Sequence, residues 1–569
     1  VDDQLSKIIL KIEQDHPAGL ACLLQSLKTF RMDKMTSYAD LIIKNARVFT
    51  ADLSRPTADA VVVRGSRIVW VGSQAESAEW LGKNTRVIDA GGKTLMPGFI
   101  DSHFHMLLGS LNLDDIAFDA CLSFDDVVAV VRSFAAENPE RAWLNGFGLK
   151  YNLGPGNTAL NRRHLDEITT DRPLAISAYD GHTTWVNTLA LQMAGIFHGG
   201  ECPPNSEIVL DERGEATGEL KERASELIER FLTKPDNGRK RALLKKGLKL
   251  VAQMGVTSVH NMDGNAEQAA LYAALEDSGE LSARIYVPYS VKPETTLAAI
   301  QEEALALKSK YQSEMVRGGS VKLFMDGVIE TYTGLMVAPY ADNPATQGAS
   351  NYDVEGFNQL VLEADRLGLQ IFVHSVGDLG VRRVLDAYAL AQSTNGLRDS
   401  RHRVEHIEVI HPADIGRFKD LGVIASMQPL HCPPHVDDGD VWPERVGKQR
   451  WPLSFAWSSL RQAGAKLVFG SDWPVVSPNP FLGVHNALNR RPWADGLPAH
   501  HQDLADTLLS YTREAAYAEF QEHQKGQLRA GYLADMVLLS EDIFASPVEN
   551  LKNIRALMTC VGGNIVYEV

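Results

Sequence analysis

Cysteine is scarce in this chain, and the few residues present are poorly placed for crosslinking. The 569 residues include five (Cys22, Cys121, Cys202, Cys432 and Cys560), an odd number, widely scattered and without a C-x-x-C pair. That pattern argues against a disulfide framework and a structural zinc module, and it suits a reducing cytoplasm. Positive charge is also in deficit, with Lys+Arg 56 against Asp+Glu 72 and a formal charge of −16. Neither a nucleic-acid groove nor an anionic membrane surface fits as the main partner. No apolar run reaches the ~18 residues of a membrane helix, no secretory signal pattern is evident, and there is no internal repeat or low-complexity tract. What is there is an ordinary globular composition, 44% hydrophobic and 22% charged. The length suits two or more domains, or one large α/β barrel with additions.

The first 34 residues, with "LSKIILKIEQ" and "LACLLQSLKTF", read as short amphipathic helices ahead of a natural start at Met35-Thr36-Ser37. They are expected to be a leader or fusion extension. From residue 40 short alternating strands follow: "LIIKNARVF" (41–49), "AVVVRGSRIVWVG" (60–72) and "RVIDAGG" (86–92). The same texture returns in "GQLRAGYLADMVLLS" (526–540) and "RALMTCVGGNIVYE" (555–568). Residues 35–97 and 517–569 are therefore expected to build one small β-sandwich from both chain ends.

Between them, buried-strand candidates alternate with helical stretches, as in a parallel sheet with crossover helices. Eight such strands can be marked, at 98–105, 256–262, 283–290, 320–327, 369–378, 402–410, 422–430 and 466–474. Eight strand–helix units are what a (β/α)8 TIM barrel requires, so the barrel is expected over 98–516. The gap from 106 to 255 is too long for one connection. It predicts a long insert after barrel strand 1, with a subdomain at about 140–240.

Barrel active sites form where the strands end, so the polar residues there matter. The stretch "GFIDSHFHM" (98–106) puts His103 and His105 two apart at the end of the first strand. Strand geometry sends both to one face, and two neutral imidazoles side by side suit a shared cation. Later strand ends carry Lys322, His374, His406 and Asp472. Four histidines and an aspartate make a metal-binding set. The lysine is the odd member, because a buried amine is costly unless neutral or paired, and a neutral amine can take up carbon dioxide as a carbamate. Among lesser candidates for the substrate pocket are His182 in "DGHTTWVN", Asp326, Gln428, His431 and His260. Asp326 also reads as part of an Asp-Gly turn. Arg403 and Glu405 alternate away from His406 and read as a structural ion pair. His198, His402, His411, His435, His500 and His501 read as surface or loop.

"PGFIDSHFH", "VKLFMDG", "FVHSVGD", "RVEHIE", "FGSDWPV" and "KGQLRAGYLADMVLL", in this order, resemble the amidohydrolase superfamily of metal-dependent hydrolases. The resemblance spans nearly all of 40–569, and "GHTTWVN" is similar to the subgroup that includes N-substituted formamide deformylase. It implies two Zn²⁺ per chain, with His103 and His105 on one together with Asp472, and His374 and His406 on the other. Carboxylated Lys322 would lie between the two ions. A single metal or another divalent ion remains an alternative. It implies hydrolysis of a non-peptide C–N bond in a small amide, formamide, cyclic amide or carbamate by metal-activated hydroxide, with Asp472 as the catalytic proton carrier. Ester or lactone hydrolysis by the same centre is a second reading. A non-catalytic scaffold is a third, which six filled ligand positions disfavour. The expected partner is a small-molecule substrate, and a homodimer is left open.

Overall fold

The computed structural model describes residues 38–569 except 233 and 434–440. The expected leader at 1–34 and His435 lie outside the described residues. Eight parallel strands form one sheet in sequential order. They are β1 (Phe99–Phe104), β2 (Val256–Asn261), β3 (Arg284–Ser290), β4 (Val316–Phe324), β5 (Gln370–Ser375), β6 (Arg403–His406), β7 (Ile424–Met427) and β8 (Lys466–Phe469).

Closure is made just beyond the last strand, where Asp472 N donates to His103 O at 2.7 Å and His105 N to Trp473 O at 2.9 Å. The backbone that shuts the barrel therefore also brings the two ends of the histidine–aspartate set together. One face of the strands, with Val259, Ile285, Val321, Ile371, Val404, Ala425 and Leu467, joins the main apolar core. Burying such β-branched and aliphatic side chains is the main driving term. The alternate residues point inward and touch across the axis. Arg403 Nη1 lies 2.8 Å from His260 Nδ1, Arg403 Nη2 donates to Ser426 Oγ at 2.9 Å, and Tyr286 Oη donates to Gln370 Oε1 at 3.2 Å.

Crossover helices start where the sequence supplies caps. Asn265 accepts from Gln268 N ahead of Ala266–Asp277, and Asp353 accepts from Gly356 N ahead of Val354–Arg366. Strands from both chain ends share a six-stranded sheet that runs from Asn564–Glu568 to Thr57–Ala58. A four-stranded sheet of Leu41–Lys44, Ala60–Arg64, Arg67–Gly72 and Arg86–Asp89 meets it. Ile43, Val63, Leu95, Met536 and Leu538 form part of the apolar core between them. Between β1 and β2 a separate six-stranded sheet begins at Ile116–Ala117, ahead of residue 140, because that short strand pairs in parallel with Leu144–Leu149. It continues to Ala216–Lys221. Among the described residues no helix is long and apolar enough to cross a membrane.

Candidate metal centre

The ends of β1, β5 and β6 and the turn after β8 converge on one cavity of about 300 Å³, lined by His103, His105, His374, His406 and Asp472. Ligand-type atoms of His103, His406 and Asp472 all lie within 4.8 Å of one another. Asp472 Oδ1 is 3.4 Å from His103 Nε2 and 3.1 Å from His105 Nε2. The rings of His103 and His406 are 4.7 Å apart, and those of His374 and His406 4.3 Å.

Local backbone makes this packing accessible. His105 no longer belongs to β1; it caps the helix Met106–Asn112 with φ −118°, and its ring centroid stands 5.7 Å from that of His103. Asp472 has φ 63° and His406 φ 74°, left-handed conformations that an L-residue adopts at a cost. At His406 the turn breaks strand alternation. Glu405, expected to face away, therefore reaches His103 Nδ1 at 2.7 Å while His406 beside it also faces the cluster. The ion pair expected for Arg403 and Glu405 is present as well, at 2.7 Å.

The donor set fits a cation. His103 has Nδ1 committed to Glu405, His105 has Nδ1 at 2.8 Å from Asp263 Oδ1, and His374 has Nε2 at 3.1 Å from the Gly327 carbonyl oxygen. Each is left with one ring nitrogen for a metal, the arrangement an outer carboxylate or carbonyl imposes on a ligating histidine. Buried His406 Nε2 has no hydrogen-bond partner. Burial holds His103, His374 and His406 well below the ordinary imidazole range, so they are neutral, as ligation demands. Burial also opposes a charge on His105, yet Asp263 and Asp472 on either side prevail and push it up to about 9. Asp472 is held below the usual carboxylate range, against its burial, by His103, His105 and His431. Asp472 Oδ1, like His406 Nε2, is buried without a hydrogen-bond partner.

Lys322 is fully buried on β4, and burial brings its amine down to about 8. Its Nζ has no hydrogen-bond partner and rests 3.5 Å from the ring centroid of Phe324, which lines the cavity, whereas Lys322 itself does not.

Of the lesser candidates, His182 and His431 line the cavity, while Asp326, Gln428 and His260 do not. Asp326 is occupied by the backbone N–H groups of Leu335, Val376 and Gly377 at 2.8, 3.0 and 3.0 Å. Gln428 is buried beside the end of β7. His260 lies inside the barrel against Arg403. His402 and His500, read as surface or loop, are buried. Asp263 escaped sequence reasoning, although it stands just past the end of β2, where a strand-end carboxylate could have been sought.

The chain belongs to the amidohydrolase family, whose model matches residues 86–567. It is a hydrolase of that family. Protein LONG AFTER FAR-RED 3 of Arabidopsis thaliana is 31% identical over 545 residues, covering 93% of this chain and 92% of that protein. N-substituted formamide deformylase of Arthrobacter pascens is 26% identical over 546 residues, covering 94% and 99%. The fold is shared with the crystal structure of an uncharacterized metal-dependent hydrolase from Pyrococcus horikoshii (TM-score 0.72, 23% identity, 89% of this chain and 99% of that one).

Proposed function

We propose that this chain hydrolyses a non-peptide C–N bond, in an amide, formamide, cyclic amide or carbamate, at a divalent metal centre. His103, His105, His374, His406 and Asp472 would hold two zinc ions, with Lys322 as a bridging carbamate. The observation that carries the reading is the convergence of His103, His406 and Asp472 within 4.8 Å at the strand ends. Similarity to a protein named N-substituted formamide deformylase supports the choice of bond.

A bound divalent ion supplies Lewis acidity towards the substrate carbonyl and lowers the pKa of water. Asp472, held as a carboxylate, takes the proton lost by the attacking water and delivers it to the departing nitrogen. The acyl carbon gains the hydroxyl and the amine leaves with the proton, so water is the only co-reactant. The neutral imidazoles offer lone pairs and carry no charge that would repel a cation. His182 enters from the segment between β1 and β2 and would contact the substrate, as would His431 from the loop after β7.

Two parts of the domain organisation belong to the same proposal. The barrel of 98–516 carries the chemistry, and the unit built from 35–97 and 517–569 braces it. The four described cysteines, all free, support a reducing cytoplasm as the setting.

The experiment is metal analysis of protein purified without chelator, followed by assay on a panel of N-formyl and N-acyl amines and cyclic amides. About two zinc ions per chain with turnover of a panel member is the expected result. No metal, and no uptake on adding zinc, would overturn the reading.

A further inference from the structure

Beneath the ligand cluster the barrel interior carries a line of charged side chains, with Arg403 lying 4.2 Å from the ring centroid of Phe372. Glu405 Oε2 receives His103 Nδ1 at 2.7 Å, and both Glu405 oxygens receive Arg403, Nε at 2.7 Å and Nη2 at 3.0 Å. Arg403 Nη1 lies 2.8 Å from His260 Nδ1, and His260 Nε2 faces Glu519 Oε1 at 3.2 Å. Glu519 in turn meets Lys525 Nζ at 2.6 Å, which also donates to Ser258 Oγ at 2.8 Å. Arg403, Glu405 and His260 are 0% exposed, and Glu519 and Lys525 3%. Glu519 and Lys525 come from the segment that follows the barrel in sequence, so the chain's C-terminal part reaches the underside of the site.

From His103 to His260 the line is hydrogen-bonded and its hydrogens are directed by chemistry, whereas Glu519 joins it to His260 and Lys525 by ion-pair contacts. Arg403 and Lys525 can only donate, and carboxylates can only accept. Arg403 therefore requires a lone pair on His260 Nδ1, which places the ring hydrogen on Nε2, towards Glu519. At the other end, Glu405 requires the hydrogen of His103 on Nδ1 and leaves the lone pair on Nε2, facing Asp472 and the cavity. Reversing a hydrogen-bonded member sets donor against donor or acceptor against acceptor among fully buried groups.

We propose that Glu405, Arg403, His260, Glu519 and Lys525 act as one line of positioning residues that holds the tautomer and placement of His103 from the closed end of the barrel. None of them lines the cavity. The inference rests on the reading of His103 as a metal ligand and adds that the segment after the barrel controls how firmly that ligand is held.

The test uses the full chain. Zinc affinity is measured by competition with a chromophoric chelator, and the His103 tautomer by nitrogen–proton correlation NMR of ¹⁵N-histidine-labelled, metal-free protein. Glu405→Gln should weaken zinc by about 10–100-fold, the usual effect of losing an outer-sphere partner. Glu519→Gln and Lys525→Met should each weaken it by about 3–10-fold and populate a second His103 tautomer, whereas Lys525→Arg should restore both readouts. The double variant Glu405→Gln with Glu519→Gln should lose little more than Glu405→Gln alone, because members of one connected line are not additive. Folded Glu519→Gln and Lys525→Met proteins with unchanged affinity and tautomer would overturn the proposal, and so would fully additive losses. Should those two variants fail to fold, Glu519→Asp and Lys525→Arg take their place: a shifted tautomer in Glu519→Asp with none in Lys525→Arg supports the line, and none in either overturns it. If the wild-type chain takes up no zinc, the metal reading fails, and the tautomer of the metal-free protein still decides this one.

Discussion

Glu222 Oε2 lies 2.6 Å from His182 Nδ1, and its other oxygen accepts from the hydroxyls of Thr331 and Thr333 at 2.8 and 2.5 Å. The carboxylate thus ties an imidazole from the segment between β1 and β2 to the loop after β4, with Glu222 itself at φ 54°. Burial opposes protonation of His182, but Glu222 and Asp180 overcome it and raise the ring to about 9. Replacing Glu222 with Gln removes the stabilising charge, so the His182 pKa falls. If the cationic ring serves the substrate, the alkaline limb of the pH–rate profile moves to lower pH and kcat/KM drops by about tenfold or more. An alkaline limb that stays in place would show that His182 takes no part.

Asp472→Asn keeps nearly the same shape and removes the proton acceptor. Metal content should stay above half of the wild-type value while kcat falls by about 10²–10⁴-fold. Metal analysis and steady-state rates on the same preparation check this, and a near-normal kcat would remove Asp472 from its assigned role.

Lys322→Ala should lower metal content and activity together. The buried amine, brought down to about 8, has an appreciable neutral fraction near pH 7–8, which carbamate formation requires. Short carboxylic acids added to the Ala variant should restore part of the lost activity by standing in for the carbamate. Full metal content without additive would point to a one-metal centre in which Lys322 has another task.

Asp365 gives a stability prediction far from the chemistry. Its carboxylate meets Arg398 at 2.7 Å and His402 Nε2 at 3.0 Å and accepts from Asn395 Nδ2 at 2.9 Å. Burial works against its charge, but His402, Asn395 and Arg398 win and hold the group at about 2 instead of 3.8. A depressed folded-state pKa contributes stability above the unfolded value, lost as pH falls from about 4 towards 2. Asp365→Asn should therefore cost about 2 kcal/mol at pH 7. Chemical denaturation should show the gap between variant and wild type narrowing through that window, and a gap constant with pH would refute the assignment.

Much of the fold was legible because barrel strands bury both faces and stand out as β-branched runs. Seven of the eight marked segments contain the observed strand and the fourth overlaps it, since β4 starts at Val316 ahead of the marked 320, and the residues at the strand ends supply the cluster. What stayed hidden depended on departures from regular geometry. Strand alternation turned Glu405 away from His406, whereas the left-handed backbone at His406 brings both to the centre. Asp326 reads in the sequence as a pocket candidate, but β4 ends at Phe324 and the carboxylate turns to three backbone N–H groups. His260, a pocket candidate in the sequence, sits deep enough in the barrel to meet Arg403 and does not line the cavity.

The sequence by itself determined the order of strands, the kind of donor atoms and their station at strand ends, because periodicity and residue chemistry are local properties. Only the tertiary structure decided which nitrogen of His103, His105 and His374 is free and whether a carboxylate or a backbone carbonyl stands behind it. It also decided that Glu519 and Lys525 close the barrel from below. Those choices are made by hydrogen bonds between residues hundreds of positions apart, and their geometry exists only once the sheet has closed on itself.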